Sequence, residues 1–195
     1  MTNKYTKEFE EIERKYEGLI NIAKDYMKRV DDPKHSISHM ESVVRYVKEI
    51  LTYDLKVDKE VCILGAYFHD VGRIEGAEGH AKRSAKMIEE VLRQTNFKED
   101  FIQKCIKAIE NHGWDEMPET LEGIVIRDAD KIDFVGISRW KNCIENNCKF
   151  GDILDLLPTM RKELLKLECS KEIFDREIGI LIRYLHNIIY NIEGE

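Results

Sequence analysis

Only three prolines, Pro33, Pro118 and Pro158, interrupt the 195 residues, and between them apolar side chains keep returning at helical spacing. Val43, Val44, Val47, Ile50 and Leu51 repeat with a period near 3.6, as do Val61, Leu64 and Phe68. Ala81, Ala85, Ile88 and Leu92 continue the pattern, followed by Ile102, Cys105, Ile106 and Ile109, and near the end by Ile178, Ile182, Leu185 and Ile189. No segment shows the sustained alternation, bounded by turn residues, that a strand requires. The chain therefore reads as all-α. Residues 4–29 read as one long, charged amphipathic helix, residues 35–140 as a functional core, and residues 150–195 as further helices packed around it, all in a single domain. Loops are expected at the glycine cluster Gly72–Gly79 and at Asn146–Asp152.

Composition limits what such a chain can be. With 43% hydrophobic and 35% charged residues it can bury one sizeable core, and no apolar run is long enough to span a bilayer. The charged start, MTNKYTKEFEEIERKYEGL, has no apolar signal-peptide core, so a cytoplasmic location is expected. A net charge of -7 speaks against nucleic acid or an anionic membrane as partner, but not against a small phosphorylated ligand held through a cation. The five cysteines form no CxxC pair and read as reduced, small apolar residues. The charged first helix could support a homodimer, although a solvated face is its simpler role.

The histidines carry the chemistry. His39 heads a helix whose buried side includes Val43 and Val47, which puts the imidazole on or beside the inner face. His69-Asp70 closes an apolar helix, where Gly72 is well placed to supply the left-handed residue that ends it. His80 opens the next helix after Gly79. His112 lies seven residues after Cys105, again on the apolar side. Asp130 stands in RDADKID, with Asp133 one helical turn on. Each of these alone has an ordinary explanation as a hydrogen-bonded core residue or a charged helix end. Together they would be expensive to bury unpaired, on the order of 2–7 kcal/mol for each polar group. A divalent cation removes that cost. Mixed imidazole and carboxylate donors suit Mn, Fe, Co, Ni or Zn better than calcium, and the lack of clustered cysteines speaks against a closed structural zinc site.

His39, His69-Asp70 in YFHDVGR and Asp130 in RDADKID together resemble the signature of the HD-domain superfamily of metal-dependent phosphohydrolases, over roughly His35 to Trp140. HMESVVRYVKEIL is similar to its first ligand helix, CILGAYFHDVGR to its His-Asp helix, and DADKIDFVGISRW to the last ligand segment in small stand-alone bacterial members. The resemblance implies a helical bundle with a central metal held by His39, His69, Asp70 and Asp130. His80 and His112 stand where histidines for a second ion are expected. They could otherwise contact substrate phosphate or line the pocket. The resemblance also implies one bound divalent ion, with Mg beside Mn, Fe, Co, Ni and Zn as candidates, room for a second ion, and a metal-activated water that attacks phosphorus. Asp70 would hold the metal and orient or deprotonate that water. Lys131 and Arg73 could meet substrate phosphates, with a solvated charge or a salt bridge as the simpler role for Arg73, and Asp133 could hydrogen-bond a ligand histidine. Trp114 reads as a pocket wall or a base-stacking surface, His35 as outside the ligand set, and His186 as a core or edge residue.

The segment after the His-Asp, VGRIEG, lacks the acidic pair of guanosine-tetraphosphate hydrolases, and NHGWDEMPET lacks the Gly-Tyr-Pro of cyclic-dinucleotide phosphodiesterases. A small nucleotide phosphohydrolase remains the expectation. The alternatives are a catalytically silent module that binds metal and nucleotide, and a purely structural helical protein.

Overall fold

The computed structural model describes residues 2–148 and 153–193. Among these, ten α-helices and no strands are present: α1 (Thr2–Lys15), α2 (Glu17–Met27), α3 (Ile37–Ile50), α4 (Lys59–Phe68), α5 (His80–Arg93), α6 (Glu99–Ile109), α7 (Leu121–Asp133), α8 (Ile137–Glu145), α9 (Ile153–Thr159) and α10 (Glu168–Glu193). Short 3-10 turns at Pro33–His35 and Val71–Glu75 and a π turn at Met160–Leu164 join them. The all-α expectation holds. No helix among the described residues is long and apolar enough to cross a membrane.

Helix α4 forms the centre. Its residues from Val61 to Phe68 are all buried, because the helix is apolar on every side and packs against α1, α2, α3, α6 and α7. Asp58 caps its first turn by accepting from the Val61 amide at 3.3 Å. Gly65 lets α7 lie close: a Cβ there would come within 2.3 Å of the Ile126 side chain. Helices α3 and α7 pack side by side, and α5 packs on α6 and on the 3-10 turn that follows α4. Thr120 caps α7 through the Gly123 amide at 3.1 Å.

Three local expectations need correction. The helix expected over residues 4–29 is two helices that meet at Tyr16, whose backbone (φ -110°, ψ 17°) leaves the helical region. The bend lets the Tyr16 ring stack on Phe97 and Phe101, at centroid distances of 5.9 and 6.0 Å, while its hydroxyl reaches Glu60. Gly72 does not end α4 through a left-handed conformation, since the glycines with positive φ are Gly76 and Gly79. Gly72 is needed for close approach instead: a Cβ there would lie 2.5 Å from the His80 carbonyl oxygen and 2.7 Å from the Ser84 amide nitrogen. His112 is buried, but it sits in the turn beyond α6 and not on the helix's apolar face. The loop expected at Asn146–Asp152 begins as a turn through Cys148, and its residues 149–152 lie outside the described residues.

Candidate metal centre

Six predicted donors come together from five parts of the chain. His39 projects from the first turns of α3, and His69 and Asp70 from the junction of α4 with the 3-10 turn. His80 starts α5, His112 follows α6, and Asp130 lies on the last turns of α7. All but His80 are buried. Two groups of donors lie close enough to hold an ion, His39 with His69 and Asp70, and Asp70 with His80 and His112, so Asp70 belongs to both. Asp130 joins through Oδ1, 3.4 Å from His39 Nε2.

The hydrogen bonds show how the rings are set. Nδ1 of His69, His80 and His112 lies 2.7 Å from the carbonyl oxygens of Ala66, Ala77 and Ile109 in turn. A carbonyl can only accept, so each Nδ1 must carry the proton and Nε2 keeps a lone pair or takes up a second proton. Nδ1 of His39 likewise lies 2.7 Å from Asp133 Oδ2. The Nε2 atoms then face inward in pairs, His39 with His69 at 3.2 Å and His80 with His112 at 3.2 Å. Two nitrogen lone pairs do not approach this closely without a positive charge between them. Either a proton or a metal ion can supply it.

The carboxylates agree. Asp70 Oδ2 is buried without a hydrogen bond. Arg73 Nε stands 2.8 Å from it as an ion-pair contact, but its N–H is not aligned to donate. Burial alone would raise the Asp70 carboxyl, yet the surrounding imidazoles of His69, His112, His39 and His80 hold it well below the usual range. Against the same burial cost, Lys131, His39 and His69 keep Asp130 low as well. Burial lowers the His69 imidazole to about 3. His39 goes the other way: burial opposes its charge, but the hydrogen bond with Asp133 and the Asp70 carboxylate 3.4 Å from Nε2 outweigh it and raise the ring to about 9. The site is thus built to hold positive charge, and its orphaned oxygen and inward-facing nitrogens fit a divalent ion with mixed N and O donors.

The neighbours fall as follows. Lys131 is buried with Nζ 2.6 Å from Asp130 Oδ2 and 5.3 Å from the centre of the Trp114 ring. Trp114 also meets the edge of Phe134 at 5.4 Å. Asp133 contacts a candidate ligand histidine, as its position one turn after Asp130 suggests. His35 stays outside the donor groups, bonded to Asp32 at 2.6 Å and to Arg139 at 3.2 Å, and burial lowers it to about 4. His186 is on the exposed side of α10, against Tyr190. None of the described cysteines joins a donor group, and Cys62 and Cys105 are buried thiols pushed upward by burial.

Sequence reasoning missed Arg139 and Ser84. Arg139 Nη1 lies 3.4 Å from Asp133 Oδ2 and so buttresses the carboxylate that holds His39. Ser84 accepts from the Gly72 amide at 2.9 Å and ties the turn after Asp70 to α5. Neither lies at a spacing that links it to a donor. Arg139 follows Asp133 across the bend at Gly136, where helical periodicity stops.

An all-α bundle that gathers buried imidazoles and carboxylates into two groups close enough to hold an ion defines a candidate metalloprotein. The model of the HD domain matches residues 35–134, just over half of the chain, and the protein belongs to the HD-domain family of metal-dependent hydrolases. Among solved structures, a predicted HD superfamily hydrolase from an uncultured Thermotogales bacterium superposes with a TM-score of 0.67 at 22% identity, covering 90% of this chain and 91% of its own. A protein from Lactobacillus plantarum superposes with a TM-score of 0.62 at 13% identity, covering 92% of this chain and 99% of its own. These likenesses speak for the fold. No curated protein matches the chain.

Proposed function

We propose that this protein is a metal-dependent phosphohydrolase that cleaves a phosphate ester or anhydride, with a nucleotide as substrate. The observation that carries the reading is the set of four imidazoles that commit Nδ1 to an oxygen and turn Nε2 toward Asp70 or Asp130. In this reading His39, His69, Asp70 and Asp130 hold one ion, and Asp70, His80 and His112 hold a second. A divalent ion in such a site lowers the pKa of bound water from about 15.7 toward neutrality and offsets negative charge on phosphoryl oxygens.

The protein's own groups do the rest. Asp133 and the carbonyls of Ala66, Ala77 and Ile109 fix the tautomers, so the Nε2 atoms need no reorganisation to act as donors. Asp70 stays ionised and its Oδ2 makes no hydrogen bond, which leaves it able to hold a divalent ion and to orient the attacking water by accepting a hydrogen bond from it. Lys131 and Arg73 place cations beside Asp130 and Asp70, where a phosphoryl group would bring its charge.

The test has two parts. Metal content is measured in the purified protein and in Asp70→Ala, and phosphate or pyrophosphate release is followed over a nucleotide panel with Mn, Co, Ni and Mg. Metal loss in the variant and turnover in the parent are expected. Unchanged metal content would overturn the site, and nucleotide binding without turnover under every metal would point to a silent binding module.

A further inference from the structure

A cavity of about 280 Å³ opens beside His80, with Ala77 and Gly79 on one side and Gly113 and Trp114 on the other. Arginines bonded to backbone carbonyls fix both of its lips. Arg83 donates to the carbonyls of Gly72 (at 2.9 Å), Gly76 and Glu78, which pins the loop before α5. Arg127, buried to 2% exposure, donates to the carbonyls of Gly113 at 3.4 Å, Trp114 at 3.2 Å and Leu164 at 2.7 Å. A cavity with walls held this way needs little ordering when a ligand arrives.

The cavity adjoins the metal centre twice. His80 belongs to its lining and to the donor group with Asp70, 3.2 Å away. Trp114 stacks over Lys131, which touches Asp130. Its volume lies at the foot of the roughly 300–1,000 Å³ range of small-molecule pockets, enough for one part of a ligand. Charge decides which part. Asp115 and Glu116 outnumber Lys82 in the lining, so a phosphate gains nothing there. A flat, neutral group can stack on the indole and donate its N–H groups to the carboxylates.

We propose that this cavity receives the nucleobase of the substrate, stacked against Trp114, and favours a base with an exocyclic amino group. The proposal rests on the nucleotide reading above. Binding, not turnover, tests it. The Mn-loaded full chain is titrated by calorimetry with a methylene-bridged ATP analogue, its inosine counterpart and inorganic tripolyphosphate. The adenine analogue should bind roughly tenfold or more tightly than tripolyphosphate, as expected when one base stacks on an aromatic ring. Trp114→Ala should lower analogue binding far more than tripolyphosphate binding, which the indole reaches only through Lys131, and Trp114→Phe should keep most of the preference. Ala77→Phe, at an exposed position, should fill the cavity and act like Trp114→Ala without the same risk to folding. The inosine analogue should bind more weakly than the adenine one. Equal affinity for analogue and tripolyphosphate, equal loss of both in the variants, or indifference to the amino group would overturn the proposal. A protein that binds this way but hydrolyses no nucleotide would refute the catalytic reading alone. Hydrolysis with binding indifferent to Trp114 and Ala77 would refute the base site alone.

Discussion

Raising the pH of the metal-free protein from about 6.5 to about 8.5 should cost it at least about 2 kcal/mol of folding stability, and loading it with metal should remove most of that loss. The cause is His39. Its folded pKa of about 9 stands above the ordinary 6.5 because its charge is held by the hydrogen bond of Nδ1 to Asp133 and by the carboxylates of Asp70 and Asp130, each 3.4 Å from Nε2. A group raised on folding contributes stability that is fully present below its unfolded pKa and is lost as the pH rises through its folded pKa. The whole rise, at roughly 1.4 kcal/mol for each tenfold change, is worth about 3 kcal/mol, and about two-thirds of it falls between these two pH values. Most of the window belongs to His39; the buried thiols of Cys62 and Cys105, pushed up by burial, add a smaller loss only toward its upper end. His69 and His35, lowered by burial to about 3 and about 4, cost stability only below about pH 6.5. Asp70 and Asp130, held low, lose their contribution only in acid. A bound ion takes the same lone pair as the proton, so metal binding should release protons and grow stronger as the pH rises. Urea unfolding of chelated and metal-loaded protein at the two pH values measures both arms. A chelated protein as stable at the higher pH as at the lower would refute this account of His39.

Three further outcomes follow from the geometry. Gly72→Ala places a Cβ against backbone atoms of His80 and Ser84 that cannot yield, so thermal melts should show a loss of about 3 kcal/mol, and metal analysis a deficit traceable to the His80 donor group. Asp133→Asn removes the charge that orients His39 and pairs with Arg139, and chelator competition should show metal affinity lowered by roughly 10–100-fold. Gly65→Ala pushes α4 and α7 apart at Ile126, one turn before His69 and Asp130; it should cost about 1–3 kcal/mol in urea unfolding.

Much of the fold was legible because its signal is local. A helix such as α5, with Ala81, Ala85, Ile88 and Leu92 buried along one stripe, declares itself within four turns of sequence. The bend at Tyr16 was not legible, because its cause lies elsewhere: the ring is drawn onto Phe97 and Phe101 and the hydroxyl to Glu60, and nothing between Glu13 and Gly18 encodes those partners. Gly72 misled for a related reason. A glycine after a helix commonly supplies a left-handed cap. Here the demand on it comes from α5, which passes too close for any Cβ.

The candidate site divides along the same line. Residue types suited to metal binding, in an order that resembles a known family, could be read directly from the sequence. What makes imidazoles into donors could not. His69 and His112 each stand just past a helix end and give their Nδ1 proton to a carbonyl three residues back, Ala66 in α4 and Ile109 in α6. Carbonyls in the last turn of a helix are the ones left short of partners, so the chain's own helix ends supply the acceptors that orient the rings. His80 repeats the arrangement on Ala77, in the loop before α5. Where α4 and α6 stop therefore decides which nitrogen points inward. A histidine moved one turn back into either helix would find the carbonyls around it already bonded, and its Nε2 would no longer be selected as the donor by its surroundings.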